Sequence, residues 1–398
     1  MSLSGQMRAF LSAAHTLKFP FAIWSRPGSS ETEALISCSG LEKRHVFEEG
    51  NNTTAQPFFA LNSFTPDTPN IADAIPGDIR LQDNQAGFWN GERYTDKPDS
   101  ASQKAFLDAV SEDEPPSPIQ ADNETTPPCQ TDETTYRSIV KKAVQAMERD
   151  EFRKVVSSRV VKRKLADDHD LLSLFEALSL KLPAAFVCLV SLPGQGAWLV
   201  GTPETLLSVR NGQLETMALA GTQWADTDGA EKEIDLRAVT WPDKIIEEQA
   251  LVCQYIRQVF ENSGVKDYRE LGPQTVRAAN LVHLRSEFAV DISGHDASLP
   301  AAILNAIQPT SAVCGLPKQP ALEFLAQHEG YQRGYYTGYL GPVNVDGTTH
   351  LFVNLRTAEI IGANAYLYVG GGLVSSSDPE LEWQETVEKT KTVGSVLA

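Results

Sequence analysis

Cysteine is sparse in this chain: Cys38, Cys129, Cys188, Cys253 and Cys314 are five in 398 residues, scattered and without a Cys-x-x-Cys pair. That argues against a zinc site and a disulfide framework, and an odd, thin count suits a reducing cytoplasm. Nowhere do 18 apolar residues run together, so no membrane partner is expected, and the N-terminus is not patterned as a signal peptide. "MSLSGQMRAFLSAAHTL" reads as an amphipathic helix, with Met7, Phe10, Leu11, Ala14 and Leu17 on one face. Positive charge is also short: 34 Lys and Arg against 52 Asp and Glu, a formal net charge of −18. A long polyanion would be repelled, so no nucleic-acid partner is expected. A small anion is not excluded if a local basic cluster or a cation offsets the field. There is no internal repeat and no Walker lysine, and "VGGGLV" opens no Rossmann pattern, so a phosphate loop is poorly supported.

What the chain does contain is a core: 41% of its residues are hydrophobic. The stretch "SEDEPPSPIQADNETTPPCQTDET" (111–134) is rich in proline and acid and nearly free of apolar residues, which reads as a linker or long loop. The division expected is therefore 1–112, a loop at 113–134, and a denser part at 135–398. Helical periodicity covers 4–18, 135–150, 170–182 and, most clearly, 243–264. Strands are expected at 19–28 and 152–165, in a meander from "AFVCLVSLP" to "TLLSVRNGQLETMAL", and at 335–345, 349–357 and 364–369. Helices and strands mix without βαβ alternation, which predicts an α+β fold with large, mainly antiparallel sheets layered with helices.

Several charged residues stand where their placement asks for a reason. After a glycine-rich turn at Gly370–Gly372 comes "SSSDPELEWQETVEKT". On a helix, Glu382, Glu385 and Lys389 fall within about 60° of one another, while Glu380 and Glu388 point elsewhere. An ordinary salt-bridge ladder on a wet face would look the same. The glycines argue otherwise, because they allow close approach to the backbone. If Glu248 of the long helix met Glu382 and Glu385 in space, the three carboxylates could coordinate Mg²⁺; a charged outer face is the plainer alternative. Arg356 lies in the apolar strand "FVNLRTA", where it either forms a buried ion pair or clamps a carboxylate. Lys154 opens the strand "KVVSSR", and Glu204 follows the Thr-Pro that ends another strand. Either could do acid–base work only with a shifted pKa.

Taken together, the motifs from 135 to 398 resemble the chorismate-utilising enzymes. They include "KVVSSR" (154–159), "GTPETLL" (201–207), "ALAGT" (218–222), "IIEEQALV" (245–252), "VHLRSEF" (282–288), "QPTSAVCGLPK" (308–318), "EGYQRGYYTGYLG" (329–341), "NLRTAEI" (354–360) and "VGGGLVSSSDPELEWQETVEK" (369–389), in the family's order. The resemblance implies chorismate as substrate and Mg²⁺ as cofactor, bound by Glu248, Glu382 and Glu385. It implies that Arg356 and Tyr336 hold the enolpyruvyl carboxylate. Lys389 and the backbone at Gly370 and Gly372 would line the ring-carboxylate side. Gly221, Thr222, His283, Ala312 and Leu355 would also line the substrate.

Within the family, the amine-adding members lack the lysine found here at 154. In the water-adding members it is the general base, with the glutamate matching Glu204 as general acid. Ala312 and Trp383 also look like the isochorismate-forming branch, so the activity implied is isochorismate synthase, for menaquinone or siderophore biosynthesis. A salicylate-forming lyase or a silent binding protein are the alternatives. A cytoplasmic monomer is expected, and the water nucleophile that the resemblance implies leaves no amidotransferase partner expected. Two positions depart from the family: Gln249 and Gln308 stand where histidine is usual, and glutamine can hydrogen-bond but not titrate. Both are read as orienting groups.

Overall fold

The computed structural model describes residues 2–48, 55–82, 84–110, 117–224, 236–278 and 281–397, except for the side chains of 222–224, 278 and 281. The helices are α1 (Gly5–Thr16), α2 (Ala101–Ala109), α3 (Glu133–Glu148), α4 (Leu171–Lys181), α5 (Asp243–Asn262), α6 (Leu299–Ile307), α7 (Lys318–His328) and α8 (Pro379–Gly394). The strands of the first third are β1 (Phe21–Ser25), β2 (Thr32–Ile36), β3 (Glu42–His45), β4 (Phe58–Asn62), β5 (Ile71–Pro76), β6 (Ile79–Gln82), β7 (Gln85–Trp89) and β8 (Tyr94–Thr95). Then come β9 (Lys154–Lys164), β10 (Phe186–Leu192), β11 (Gly196–Thr202), β12 (Thr205–Arg210), β13 (Gln213–Trp224), β14 (Arg269–Ala278) and β15 (Leu281–Asp291). The last are β16 (Gly315–Leu316), β17 (Tyr339–Val343), β18 (Thr349–Val353), β19 (Thr357–Ile361) and β20 (Asn364–Leu373).

These strands form two antiparallel sheets. The first runs β16-β9-β20-β19-β11-β10-β1-β2-β6-β7-β8 and the second β14-β15-β13-β12-β18-β17-β4-β5-β3. The period of two along each strand explains how they stack. On β10, Phe186, Cys188 and Val190 join Trp24 of β1 and Phe59 and Leu61 of β4 in a core between the sheets. The alternate residues Val187 and Leu189 face outward and pack with α1, α2 and α4. The far side of the second sheet is covered by α5, with α6 against it, while α3, α7 and α8 pack on the β16-β9-β20 end of the first sheet. Four layers result, helix–sheet–sheet–helix, in the α+β class. Strands of the first third lie in both sheets: β1 pairs with β10, and β4 with β17. The segment 117–132 has no helix or strand but is pinned by hydrogen bonds, including Leu171 N–H to the Ile119 carbonyl and Gly362 N–H to the Asp122 carbonyl, both 2.9 Å.

Two local expectations change. Gly370–Gly372 are not in a turn; they lie on β20, paired with Val156–Ser158 of β9. Arg356 is not in a strand, because β18 stops at Val353 and β19 starts at Thr357. The apolar flanks of Arg356 belong to strands of different sheets, and a continuous run conceals that break.

Candidate active site

A cleft of about 120 Å³ opens where the chain crosses between the sheets. Pro203 and Glu204 carry it from β11 in the first sheet to β12 in the second. Asn354, Leu355 and Arg356 carry it back from β18 to β19. The crossings are laced together: Val353 N–H donates to the Glu204 carbonyl and Gly201 N–H to the Arg356 carbonyl, both at 3.0 Å. β9 and β20 form one wall, β13 and β15 another, and α5 and α8 contribute side chains.

Lys154 and Glu204 border this cleft and are 2% and 4% exposed. Burial pulls the Lys154 ammonium below its ordinary pKa; Glu248 and Glu204 oppose that, and Lys244 and Lys389 add to it. Burial pushes the Glu204 carboxyl up to about 8, against the influence of Lys154. At neutral pH this carboxyl is mostly protonated and able to donate.

Gly221 and His283 meet at a β-bulge. Ala220 opposes Leu284 and Gln223 opposes Val282, so Gly221 and Thr222 together face the single residue His283. Gly221 has φ +66°, and a Cβ there would lie 2.6 Å from Ile245 and 2.7 Å from Trp241, so glycine is required twice over. The Gly221 carbonyl accepts from His283 Nδ1 at 2.8 Å. Burial, reinforced by Arg356, lowers the imidazole to about 4, so it is neutral at physiological pH. Thr222 occupies the bulge, but its side chain lies outside the described residues.

The third group is acidic. Asp378 caps α8, its carboxylate accepting from the N–H groups of Glu380 and Leu381. This cap sets the helix phase that turns Glu382, Glu385 and Lys389 toward β20, while Glu388 pairs with Lys391 at the surface. Glu385, Lys389, Glu248 and Gly370–Gly372 border the cleft; Glu382 sits behind it. A Cβ on Gly372 would lie 2.5 Å from Glu248 Oε2, and one on Gly371 3.2 Å from Glu382 Oε2. The glycines therefore make room for the carboxylates. Lys389 Nζ donates to Glu385 at 2.6 Å and to the Gly370 carbonyl at 2.8 Å.

Sequence reasoning overlooked Lys244. Its Nζ lies 2.5 Å from Glu382, 3.7 Å from Glu248 and 3.9 Å from Glu385. Its i,i+4 spacing to Glu248 was the available signal. Burial opposes the charge on Lys244, but the three carboxylates outweigh it and raise the pKa. Burial raises the Glu382 pKa with Lys244 opposing, whereas at Glu385 Lys389 and Lys244 outweigh burial and lower it. Among the described residues, no three His, Cys, Asp or Glu side chains are drawn together closely enough to hold a metal. The donor set still suits a hard divalent cation: it is all oxygen, and the buried Glu382 Oε2 makes no hydrogen bond of ordinary geometry, although the Ser377 hydroxyl lies near enough to the carboxylate to lower its pKa.

Arg356 has φ +49° and donates from Nη1 to Thr392 of α8 at 2.8 Å. Burial draws its pKa down, with Glu385 opposing. Tyr336 is buried beside it on the cleft wall, stacked on Tyr368 at a centroid distance of 5.0 Å. Ala312 and Leu355 also border the cleft. Behind them lies the buried pair Glu329–Arg333, 2.6 Å apart, with Arg333 donating to the Val156 and Val313 carbonyls. Gln249 and Gln308 do not border the cleft. Gln249 donates to the Ala218 carbonyl at 3.1 Å and to Ser286 Oγ at 3.0 Å, fastening α5 to β13 and β15. Trp383 also turns away, its ring under the Arg159 guanidinium at 4.0 Å.

Residues 92–398 match the family model described as chorismate binding enzyme. The chain is 30% identical over 266 residues to the isochorismate synthase MenF of Escherichia coli K12, covering 67% of this chain and 61% of that protein. It is 33% identical over 266 residues to the salicylate biosynthesis isochorismate synthase of Pseudomonas aeruginosa, covering 66% of this chain and 54% of that protein. The matched region thus spans somewhat over half the length of these relatives. The solved structure of the menaquinone-specific isochorismate synthase MenF from Escherichia coli superposes with a TM-score of 0.77 at 22% identity, covering 100% of this chain and 92% of that chain, and so shares the fold.

Proposed function

Because the chain belongs to the chorismate-binding enzymes, we propose that it is an isochorismate synthase, adding water at C2 of chorismate with loss of the C4 hydroxyl. The observation that carries this reading is the pairing, on one cleft, of a buried lysine with a lowered pKa and a buried carboxyl with a pKa of about 8. Two titrating groups pushed in opposite directions can serve as base and acid in one reaction. Lys154, whose burial favours its uncharged form, would take a proton from the attacking water. The new C2–O bond forms, the ring double bonds shift, and the C4–O bond breaks. Glu204 gives its proton to the departing hydroxyl, which leaves as water. One water enters and one leaves, so the change is an isomerisation.

The remaining groups orient the substrate. Arg356 and Tyr336 would hold the enolpyruvyl carboxylate, a guanidinium being suited to two-point carboxylate contact. Lys389 and the β20 glycines would receive the ring carboxylate. Glu248, Glu382 and Glu385 would hold Mg²⁺, which when bound supplies positive charge against that carboxylate. Neutral His283, tied to Gly221, would keep the bulge in shape against the ring.

The product would serve menaquinone or siderophore biosynthesis in the cytoplasm. No helix among the described residues is long and apolar enough to cross a membrane. The test is incubation of purified protein with chorismate and Mg²⁺, with products separated by chromatography. Isochorismate, lost on adding EDTA, is the expected result. Salicylate with pyruvate would move the protein to the lyase branch, and no turnover would overturn the enzymatic reading.

A further inference from the structure

Lys244 sits in an unfavourable place for a cation. It lies in the first turn of α5, where the helix dipole and free N–H groups repel positive charge. What holds it there is the set Glu248, Glu382 and Glu385, all within 3.9 Å of Nζ. Those are the three carboxylates to which the proposed function assigns the divalent cation. A metal bound by them at about 2 Å and an ammonium 2.5 Å from one of them compete for one position. The second observation is Glu382 Oε2, 2% exposed as a residue, which makes no hydrogen bond of ordinary geometry, only a looser approach of the Ser377 hydroxyl to the carboxylate, while its sister oxygen receives Lys244. The ammonium leaves acceptor capacity that a metal would use.

We propose that Lys244 is a place-holder for the divalent cation. This rests on the metal reading of the proposed function. In the metal-free protein the ammonium neutralises part of the carboxylate cluster and keeps it assembled; the metal enters by displacing it. The exchange sets the affinity below what three bare carboxylates would give, so the cation is bound only when its supply is ample. The Lys244 side chain is 23% exposed, so it has a route outward toward solvent.

The test needs no substrate. Mn²⁺ binding to the full chain is titrated by EPR of the free ion, for the native protein, Lys244→Met, Glu382→Gln, and Lys391→Met as a control for loss of one surface charge on α8. The expected result is at least tenfold tighter Mn²⁺ binding in Lys244→Met and little change in Lys391→Met. The metal-free melting temperature of Lys244→Met should fall, because the carboxylates lose their counter-charge. In the native protein, acetylation of Lys244 read by mass spectrometry should speed up when Mn²⁺ is added, since displacement frees the amine. This second arm decides the question if the variant does not fold. Native-like Mn²⁺ affinity in Lys244→Met, or acetylation indifferent to Mn²⁺, would overturn the place-holder while leaving the metal site standing. Absence of Mn²⁺ binding to the native protein, or equal binding in Glu382→Gln, would instead overturn the metal site, and the place-holder with it.

Discussion

Glu204 shows how one buried side chain links catalysis to stability. Its carboxyl carries a pKa of about 8 because burial penalises the charged form. As the proton donor it must be protonated, so kcat/KM should fall as pH rises through about 8. Glu204→Gln should remove that limb and lower kcat by roughly 10²–10⁴. The stability effect has its own sign. The folded pKa lies above the ordinary value of 4.5, so the native state holds the proton more tightly than the unfolded chain. The associated stability is full below pH 4.5 and is lost as pH climbs to about 8. The glutamine variant should therefore match the native protein near pH 4.5 and exceed it at pH 9, by on the order of 3–5 kcal/mol. Equal denaturation midpoints at pH 9 would sink that assignment. Lys154→Ala should cost a similar factor in kcat with KM little changed; retained turnover would remove Lys154 as base. Residue types were legible here. Lysine and glutamate at motif positions could be named from sequence, but their environments could not, because burial of Glu204 depends on two strands in different sheets.

At the scale of a strand, Gly370 and Gly372 illustrate two uses of a missing side chain on β20. A Cβ at Gly370 would lie 2.4 Å from the Ser157 carbonyl, part of the neighbouring β9 backbone. A backbone atom has no room to yield, so Gly370→Ala should destabilise by about 1–3 kcal/mol. A Cβ at Gly372 would meet the Glu248 carboxylate at 2.5 Å. That group is the mobile end of a side chain, so Gly372→Ala should keep its melting temperature close to native and weaken Mn²⁺ binding tenfold or more. Identical behaviour of the two variants in melting and metal titrations would contradict the separation. The contrast also marks what the sequence could convey about elements. Helical periodicity placed α1, α3, α4, α5 and the acidic face of α8 closely, since each depends on local spacing. It placed the glycines in a turn, because the strand pairing that accommodates them is with β9, far away in the chain. The β14–β15 hairpin and the bulge at Gly221 went unread for the same reason: a bulge is a relation between strands.

Across the whole molecule, the motifs lie from 135 onward, yet the first third is woven into the body. β1 pairs with β10 and β4 with β17, so described residues of the first third complete one end of each sheet. They also brace the cleft. Phe64 lies under the Arg333 guanidinium at 4.2 Å, Phe64 N–H donates to the Gly334 carbonyl at 3.0 Å, and Asp73 accepts from Tyr335 at 3.1 Å. That is the turn carrying Tyr336 and Thr337 to the cleft wall. A fragment of 135–398 would retain every proposed catalytic side chain. It would also bare the edges of β10 and β17 and the inward faces of Phe186, Cys188 and Val190. Unpaired edges beside exposed apolar surface promote association. The fragment should therefore aggregate or melt without a cooperative transition, whereas the full chain should give one calorimetric peak. Adding residues 1–112 in trans should restore some structure if the sheets alone drive assembly. A soluble fragment with a sharp transition and native turnover of chorismate would show that the bracing by Phe64 and Asp73 is dispensable, and that the cleft is shaped by the later two thirds of the chain alone.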